Sequence, residues 1–328
     1  MERLLEINEL SVEYATYEGV VHAVRNASFG VDAAKCVGLV GESGAGKTTT
    51  ALSIMRLIQE PPGRITGGTI RFKGHNLCLL SQKEMESIRG NNISMIFQDP
   101  MTSLNPVLTI GLQIAEVIMV HQKLDKKAAF RETQALLEKV QIPANRYKEY
   151  PHEFSGGMRQ RVGIAMALAC NPSLIIADEP TSALDVTIQA QIVELLRELQ
   201  REFSTAMIMI THDLGVVAET CDYVAVMYAG EIVEEGTLEQ IFEEPLHPYT
   251  SGLFKCVPRI KGNDKIQPIG GQLYNPFSKV SGCTFHPRCP HKMPLCEKNS
   301  PAGVFVKGRN VRCHLAEMPG VTKRKAAV

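Results

Sequence analysis

The amino-acid sequence predicts an α/β fold organised by a phosphate-binding loop, with an inserted helical subdomain and a small, loop-rich C-terminal domain. Three observations carry that expectation. The apolar run KCVGLV leads directly into GESGAGKTTTALSIMRLI, where a glycine-rich turn opens a helix-periodic segment. A second apolar run, SLIIADEP, carries adjacent carboxylates near its end. Beyond residue 280 the chain becomes rich in cysteine and proline, most densely in CTFHPRCPHKMPLC.

Each element can be justified in order. LLEINELSVEY alternates apolar and polar positions as a half-buried strand does, and KCVGLV is short and apolar enough for a buried one. The loop Gly41–Thr48 fits G-x-x-x-x-G-K-[ST]. Gly41, Gly44 and Gly46 allow backbone conformations and a close approach that side chains would block. The amides of Glu42, Ser43, Ala45 and Thr49 complete a cradle for phosphate oxygens at the positive end of the following helix. Lys47 reaches the β- and γ-phosphates, and the Thr48 hydroxyl can ligate Mg²⁺. At the end of SLIIADEP, Asp178 can hold that Mg²⁺ through water while Glu179 polarises an attacking water. Between Gln98 and Ser155, IGLQIAEVIMVHQ and AFRETQALLEKV are helix-periodic. Ile114, Val117 and Ile118 of that region read as core.

Composition narrows the setting. At 328 residues the chain exceeds one average domain. The opening MERLLEINEL carries charges where a signal peptide needs an apolar core, and no run of about eighteen uncharged apolar residues occurs. The expectation is a soluble, intracellular chain whose nine cysteines serve burial, metal binding or catalysis, not disulfides. Zero net charge conceals an asymmetry, because residues 1–251 hold 21 Lys and Arg against 32 Asp and Glu, and residues 252–328 hold 14 against 3. No aromatic residues interleave with the basic ones as base stacking requires, so the basic end reads as a solvated face that offsets nearby thiolates, and no nucleic-acid partner is expected.

The stretch FSGGMRQRVGIAMALACNPSLIIADEPTSALD resembles the ATP-binding-cassette ATPases. Ser155, Gly156 and Gly157 match the family signature, a small-residue turn at a helix N-terminus, with Phe154 and Met158 departing from the usual Leu and Gln. The resemblance implies a head-to-tail dimer of two cassettes, identical or homologous, with ATP buried between them. It also implies that Gln98 of IFQDP senses Mg²⁺ and nucleotide, that Asp185 of SALD couples the two sites, and that His212 of MIMITHD contacts the γ-phosphate and orients Glu179. Tyr14 takes the family's adenine-stacking position, with strand packing, or Tyr17 in its place, as the competing readings.

Four segments, GLVGESGAGKT, MIFQDPMTSLNP, EFSGGMRQRV and ADEPTSALDVTIQAQI, resemble the ATPase subunits of bacterial dipeptide and oligopeptide importers, as does EEPLHPYTSGL. That resemblance implies ATP hydrolysis coupled to peptide uptake at the cytoplasmic face of the membrane, beside two integral membrane permeases and an extracytoplasmic peptide-binding protein. A nickel importer, a soluble cassette acting on DNA or ribosomes and a non-hydrolysing regulator are the alternatives. The expected domains are an ATPase domain over about residues 1–243, a helical subdomain over about 99–165, and a terminal domain over 244–328 whose core is separate.

Cys283, Cys289, Cys296 and Cys313 lack the short C-x₂-C knuckles of structural zinc sites, and Pro290 and Pro294 make their segment loop. From the residues, a [4Fe–4S] cluster, Zn²⁺ and unligated or disulfide-bonded cysteines all stay open. The importer resemblance implies the cluster. Cys36, Cys78, Cys170, Cys221 and Cys256 read as small core hydrophobes.

Overall fold

The computed structural model describes residues 3–99, 103–182, 184–255, 268–272, 274–277 and 281–316. In chain order the strands are β1 (Arg3–Thr16), β2 (Gly19–Asp32), β3 (Cys36–Val40), β4 (Gly63–Phe72), β5 (His75–Asn76), β6 (Ile93–Ile96), β7 (Leu174–Asp178), β8 (Ala206–Ile210), β9 (Tyr223–Tyr228), β10 (Glu231–Thr237), β11 (Val304–Val306) and β12 (Arg309–Val311). The helices are α1 (Lys47–Ile54), α2 (Gln82–Ile88), α3 (Ile110–Gln122), α4 (Lys126–Lys139), α5 (Gly156–Leu168), α6 (Val186–Glu202), α7 (Leu214–Thr220), α8 (Leu238–Glu243), α9 (Pro248–Lys255) and α10 (Pro294–Lys298). None of the described helices is long and apolar enough to cross a membrane.

Two compact units emerge: Met1–Leu4 with Val31–Cys36 and Leu79–Ile210, and Leu5–Gly30 with Val37–Cys78 and Thr211–Val328. In the first, β6, β7 and β8 pair in parallel, Ile93 opposite Leu174 and Leu174 opposite Ala206. Both β7 and β8 are buried at every position, which is why they read as unbroken apolar runs. The predicted helices are α3 and α4, and they pack on each other. Thr109 caps α3 through the Leu112 amide, and Asp125 caps α4 through the Ala128 amide. Ile114 and Ile118 are fully buried and Val117 half-buried, so the apolar stripe is core.

In the second unit one sheet has the order β2-β1-β4-β5. The alternation in β1 slips at Glu9, whose φ of 51° accompanies a register shift between Asn8 and Ser11. The bulge keeps Leu10 and Val12 buried alongside Leu5 and Ile7. The other strands run β3 parallel to β9, then β9-β10-β12-β11 antiparallel.

The terminal segment departs from expectation twice. Pro294 opens the helical turn α10, because proline at the first helical position lacks only an amide that would be unpaired anyway. The segment also has no separate core: β12 pairs with β10, and Phe285 packs against the rings of Tyr228, Tyr249 and His247. Of the remaining cysteines, Cys36 and Cys221 are buried, Cys78 and Cys170 half-buried, and Cys256 lies outside the described residues.

Candidate functional site

The loop predicted to cradle phosphate joins β3 to α1. Gly46 caps α1 with φ 104°, and a Cβ there would lie 2.4 Å from the Ala23 carbonyl oxygen. At Gly41 a Cβ would lie 2.2 Å from the Met227 carbonyl oxygen. Both positions therefore exclude side chains, through conformation at Gly46 and through close approach at Gly41. The Lys47 ammonium donates to the carbonyls of Gly41 (2.8 Å) and Glu42 (3.0 Å), closing the loop into a ring. Ala45 is buried and its amide donates to the Glu42 carbonyl, while Ser43, Gly44 and Thr48 are exposed and Thr49 half-buried on the first turn of α1. The arrangement is an anion cradle: a glycine turn at a helix N-terminus, with one buried cation aimed back across it.

In the other unit, Asp178 ends β7 and is 3% exposed, whereas Glu179 leaves the strand with φ 45°. That left-handed turn is a strained setting for a side chain of this size. The Glu179 amide donates to the Ile210 carbonyl (2.8 Å), and its carboxylate accepts from the Gln98 amide (3.0 Å). Gln98 and Glu179, eighty-one positions apart, are thus brought together as a hydrogen-bonded pair. His212, exposed after β8, belongs to the unit that holds the loop.

The signature turn is built by capping. The Ser155 hydroxyl accepts from the Met158 amide at the start of α5, and Asp185 does the same for Ile188 at the start of α6. Sequence reading assigned these two residues roles toward nucleotide and missed that both are N-caps; an Asp or Ser three positions before the capped amide is the signal that was there. Ser155 and Gly156 are exposed, while Gly157 is buried against Ile188. Phe154 and Met158, the two departures, share a contact: the Arg146 guanidinium stacks on the Phe154 ring at 4.3 Å and donates to the Met158 sulfur.

Tyr14 lies opposite Gly63 in the β1–β4 register, and its ring packs where a Gly63 side chain would stand. It is half-buried, whereas Tyr17 is fully exposed.

Cys283, Cys289, Cys296 and Cys313 converge on one small cavity, which His247 and His314 also line. Burial pushes the Cys283 thiol up to about 11 and the Cys313 thiol up to about 12, and raises Cys289 as well. Among the described residues no group of three or more His, Cys, Asp or Glu side chains is placed to hold a metal ion. The expected metal centre is therefore not seen: the four thiols line one cavity but are not placed as a metal-holding group.

The terminal motif EEPLHPYTSGL is a lock. Buried Glu234 accepts from the amides of Leu246 (2.8 Å) and His247 (2.9 Å). Burial lowers His247 to about 3, so its ring is neutral and Nδ1 accepts from the Tyr249 amide (3.0 Å). The Tyr249 hydroxyl then accepts from the Glu42 amide (2.9 Å), inside the phosphate loop. Among the described residues of the basic end, Arg288 pairs with Glu42, Arg309 with Glu234, Arg312 with Glu231 and Lys307 with Glu244. No sequence signal joined the terminal segment to the loop.

Comparison with known proteins gives two family matches, to the ABC transporter family over residues 24–182 and to the oligopeptide/dipeptide transporter C-terminal region over residues 233–296. The dipeptide transport ATP-binding protein DppD of Bacillus subtilis is 52% identical over 92% of this chain and 91% of its own length. The oligopeptide transport ATP-binding protein OppD of Salmonella typhimurium is 51% identical over 94% of this chain and 93% of its own length. Among solved structures, a dimeric ATP-binding cassette in a post-hydrolysis state, bound to ADP and Pi, is similar with a TM-score of 0.65 and 26% identity, covering 71% of this chain and 98% of that one.

Proposed function

Because the chain belongs to the ATP-binding-cassette transporter family, as relatives about half identical over nine-tenths of its length establish, we propose that it binds and hydrolyses ATP as the energy-coupling subunit of a dipeptide or oligopeptide importer. The observation that carries the reading is the closed loop Gly41–Thr48, with its glycine turn at a helix N-terminus and the buried Lys47 ammonium facing inward. The loop amides and Lys47 bind the phosphates. Thr48 and Gln98 would hold Mg²⁺, with Asp178 acting through water, and the ion would supply charge neutralisation at the phosphates. Glu179 takes a proton from the attacking water, and Gln98 holds its carboxylate in place. His212 meets the terminal phosphate, Tyr14 the adenine, and Asp185 the partner's site. Ser155, Gly156 and Gly157 complete the partner's nucleotide site, an assignment supported by exposure at Ser155 and Gly156 and by the dimeric form of the similar cassette.

The partners that fit are a second cassette, two membrane permeases and an extracytoplasmic peptide-binding protein, with this subunit peripheral at the cytoplasmic face. The relatives' roles in dipeptide and oligopeptide transport favour peptides over nickel. An ATPase domain over 1–243, a helical subdomain over 99–165 and a terminal domain over 244–328 remain the functional divisions we assign.

For the terminal cysteines we propose a [4Fe–4S] cluster. Four thiols line one cavity, and a [4Fe–4S] cluster takes four thiolates. Cys283, Cys289, Cys296 and Cys313 would hold it, and the cluster would stabilise a small domain by cross-linking its loops. Protein purified without oxygen is then brown, with about four irons per chain. Colourless protein with one zinc would give the site to zinc.

The experiment that tests the central reading is ATP turnover by the assembled complex, with phosphate release dependent on transported peptide. Turnover unaffected by peptide would remove the transport assignment.

A further inference from the structure

Glu42 is gripped at three points. Its carbonyl accepts from Lys47, its amide donates to the Tyr249 hydroxyl, and its carboxylate receives a two-pronged contact from Arg288 (2.6 Å and 2.9 Å). Two of those three grips come from beyond residue 244. The Arg288 side chain is only 3% exposed, and it is itself fixed. Its Nε donates to the Gly270 carbonyl, a second nitrogen reaches the Ile269 carbonyl, and the guanidinium lies over the Tyr228 ring. Arg288 ends a short 3₁₀ turn, His286–Arg288, and the next residue is Cys289. Phe285, at the head of that turn, packs on Tyr228 and Tyr249. The segment from Cys283 to Cys289 therefore presents thiols to the cysteine cavity and a guanidinium to the phosphate loop.

We infer that Arg288 is a positioning residue for the phosphate-binding loop, acting through Glu42, so that the cysteine-bearing segment sets the conformation in which the loop meets nucleotide. The bidentate pair fixes the Glu42 backbone, whose carbonyl anchors Lys47. Lys cannot replace Arg without losing the fork. The inference rests on the reading of Gly41–Thr48 as the nucleotide site.

The test titrates MgATP into the purified full-length chain by calorimetry, for wild type, Arg288→Met, Arg288→Lys, Glu42→Gln, the double variant Glu42→Gln/Arg288→Met, and Lys47→Ala as the control. Arg288→Met and Glu42→Gln each weaken binding by about tenfold, the loss expected for one charge-assisted contact. Arg288→Lys recovers part of the loss, and the double variant is no weaker than the weaker single one, because both changes break the same pair. In the assembled complex the defect lies in KM for ATP, with kcat at saturating ATP retained. A role confined to folding would not give that split. Wild-type affinity in either single variant, or additive losses in the double variant, overturns the inference. Should Arg288→Met fail to fold, Glu42→Gln, which leaves the terminal segment intact, decides it alone. Lys47→Ala separates the two levels: if it binds like wild type the nucleotide site itself is misassigned, and if it alone loses binding only the role of Arg288 falls.

Discussion

The phosphate loop and the cysteine cavity lie in one compact unit and are built by opposite means. The loop is made of consecutive residues whose backbone does the work, closed by a lysine from its own sequence. The cavity gathers cysteines from positions 283 to 313, no two of them closer than five intervening residues, with His247 brought in from further up the chain. A contiguous backbone site closes on local hydrogen bonds, and here Tyr249 and Arg288 hold its rim from outside. A convergent thiol site needs something to converge on: burial alone keeps Cys283 and Cys313 protonated, and a ligand must displace those protons before the thiolates form.

Four substitutions sharpen the contrast, in descending order of effect. Glu179→Gln keeps the shape of the side chain and removes the base, so turnover of the assembled complex falls by about 10²–10⁴-fold while ATP still binds. Near wild-type phosphate release from that variant would take Glu179 out of catalysis. For the proposed cluster, Cys289→Ala removes one ligand and lowers the iron of anaerobically purified protein below about four per chain. Retention of the full iron content would take Cys289 out of the proposed ligand set.

The two smaller effects probe the scaffolds alone. Gly157→Ala places a Cβ 2.5 Å from Ile188 Cγ2, an overpacking that lowers stability by about 1–3 kcal/mol in thermal unfolding. An unchanged Tm would mean that α5 and α6 shift apart freely. Tyr249→Phe leaves the Glu42 amide without its acceptor and costs about 1–2 kcal/mol by the same measurement. No loss there would mean that the terminal lock does not bear on the loop.

Legibility in the sequence follows the same divide. KCVGLV, SLIIADEP and the two helix-periodic stretches became β3, β7, α3 and α4 because local pattern and burial agree at those places. The loop was legible for the same reason, since its pattern lies in eight neighbouring residues. The Gln98–Glu179 pair was named only residue by residue, and its contact needed β6 and β7 to lie side by side. The bulge at Glu9, the helical turn at Pro294 and the grip of Arg288 on Glu42 were not legible. The first two are single-residue backbone choices that tertiary packing decides, and the third joins positions 246 apart. Arg288 in particular looked like one more basic residue in a basic tail until the fold placed a carboxylate beside it.

The central claim is that Gly41–Thr48, closed by Lys47, is the ATP phosphate site. Calorimetric titration of MgATP into the full-length chain and into Lys47→Ala tests it most directly. The account predicts one site per chain in the wild type and an affinity about ten- to a hundredfold weaker in the variant, because the phosphates lose their buried cation. Equal affinity in the two proteins would contradict it.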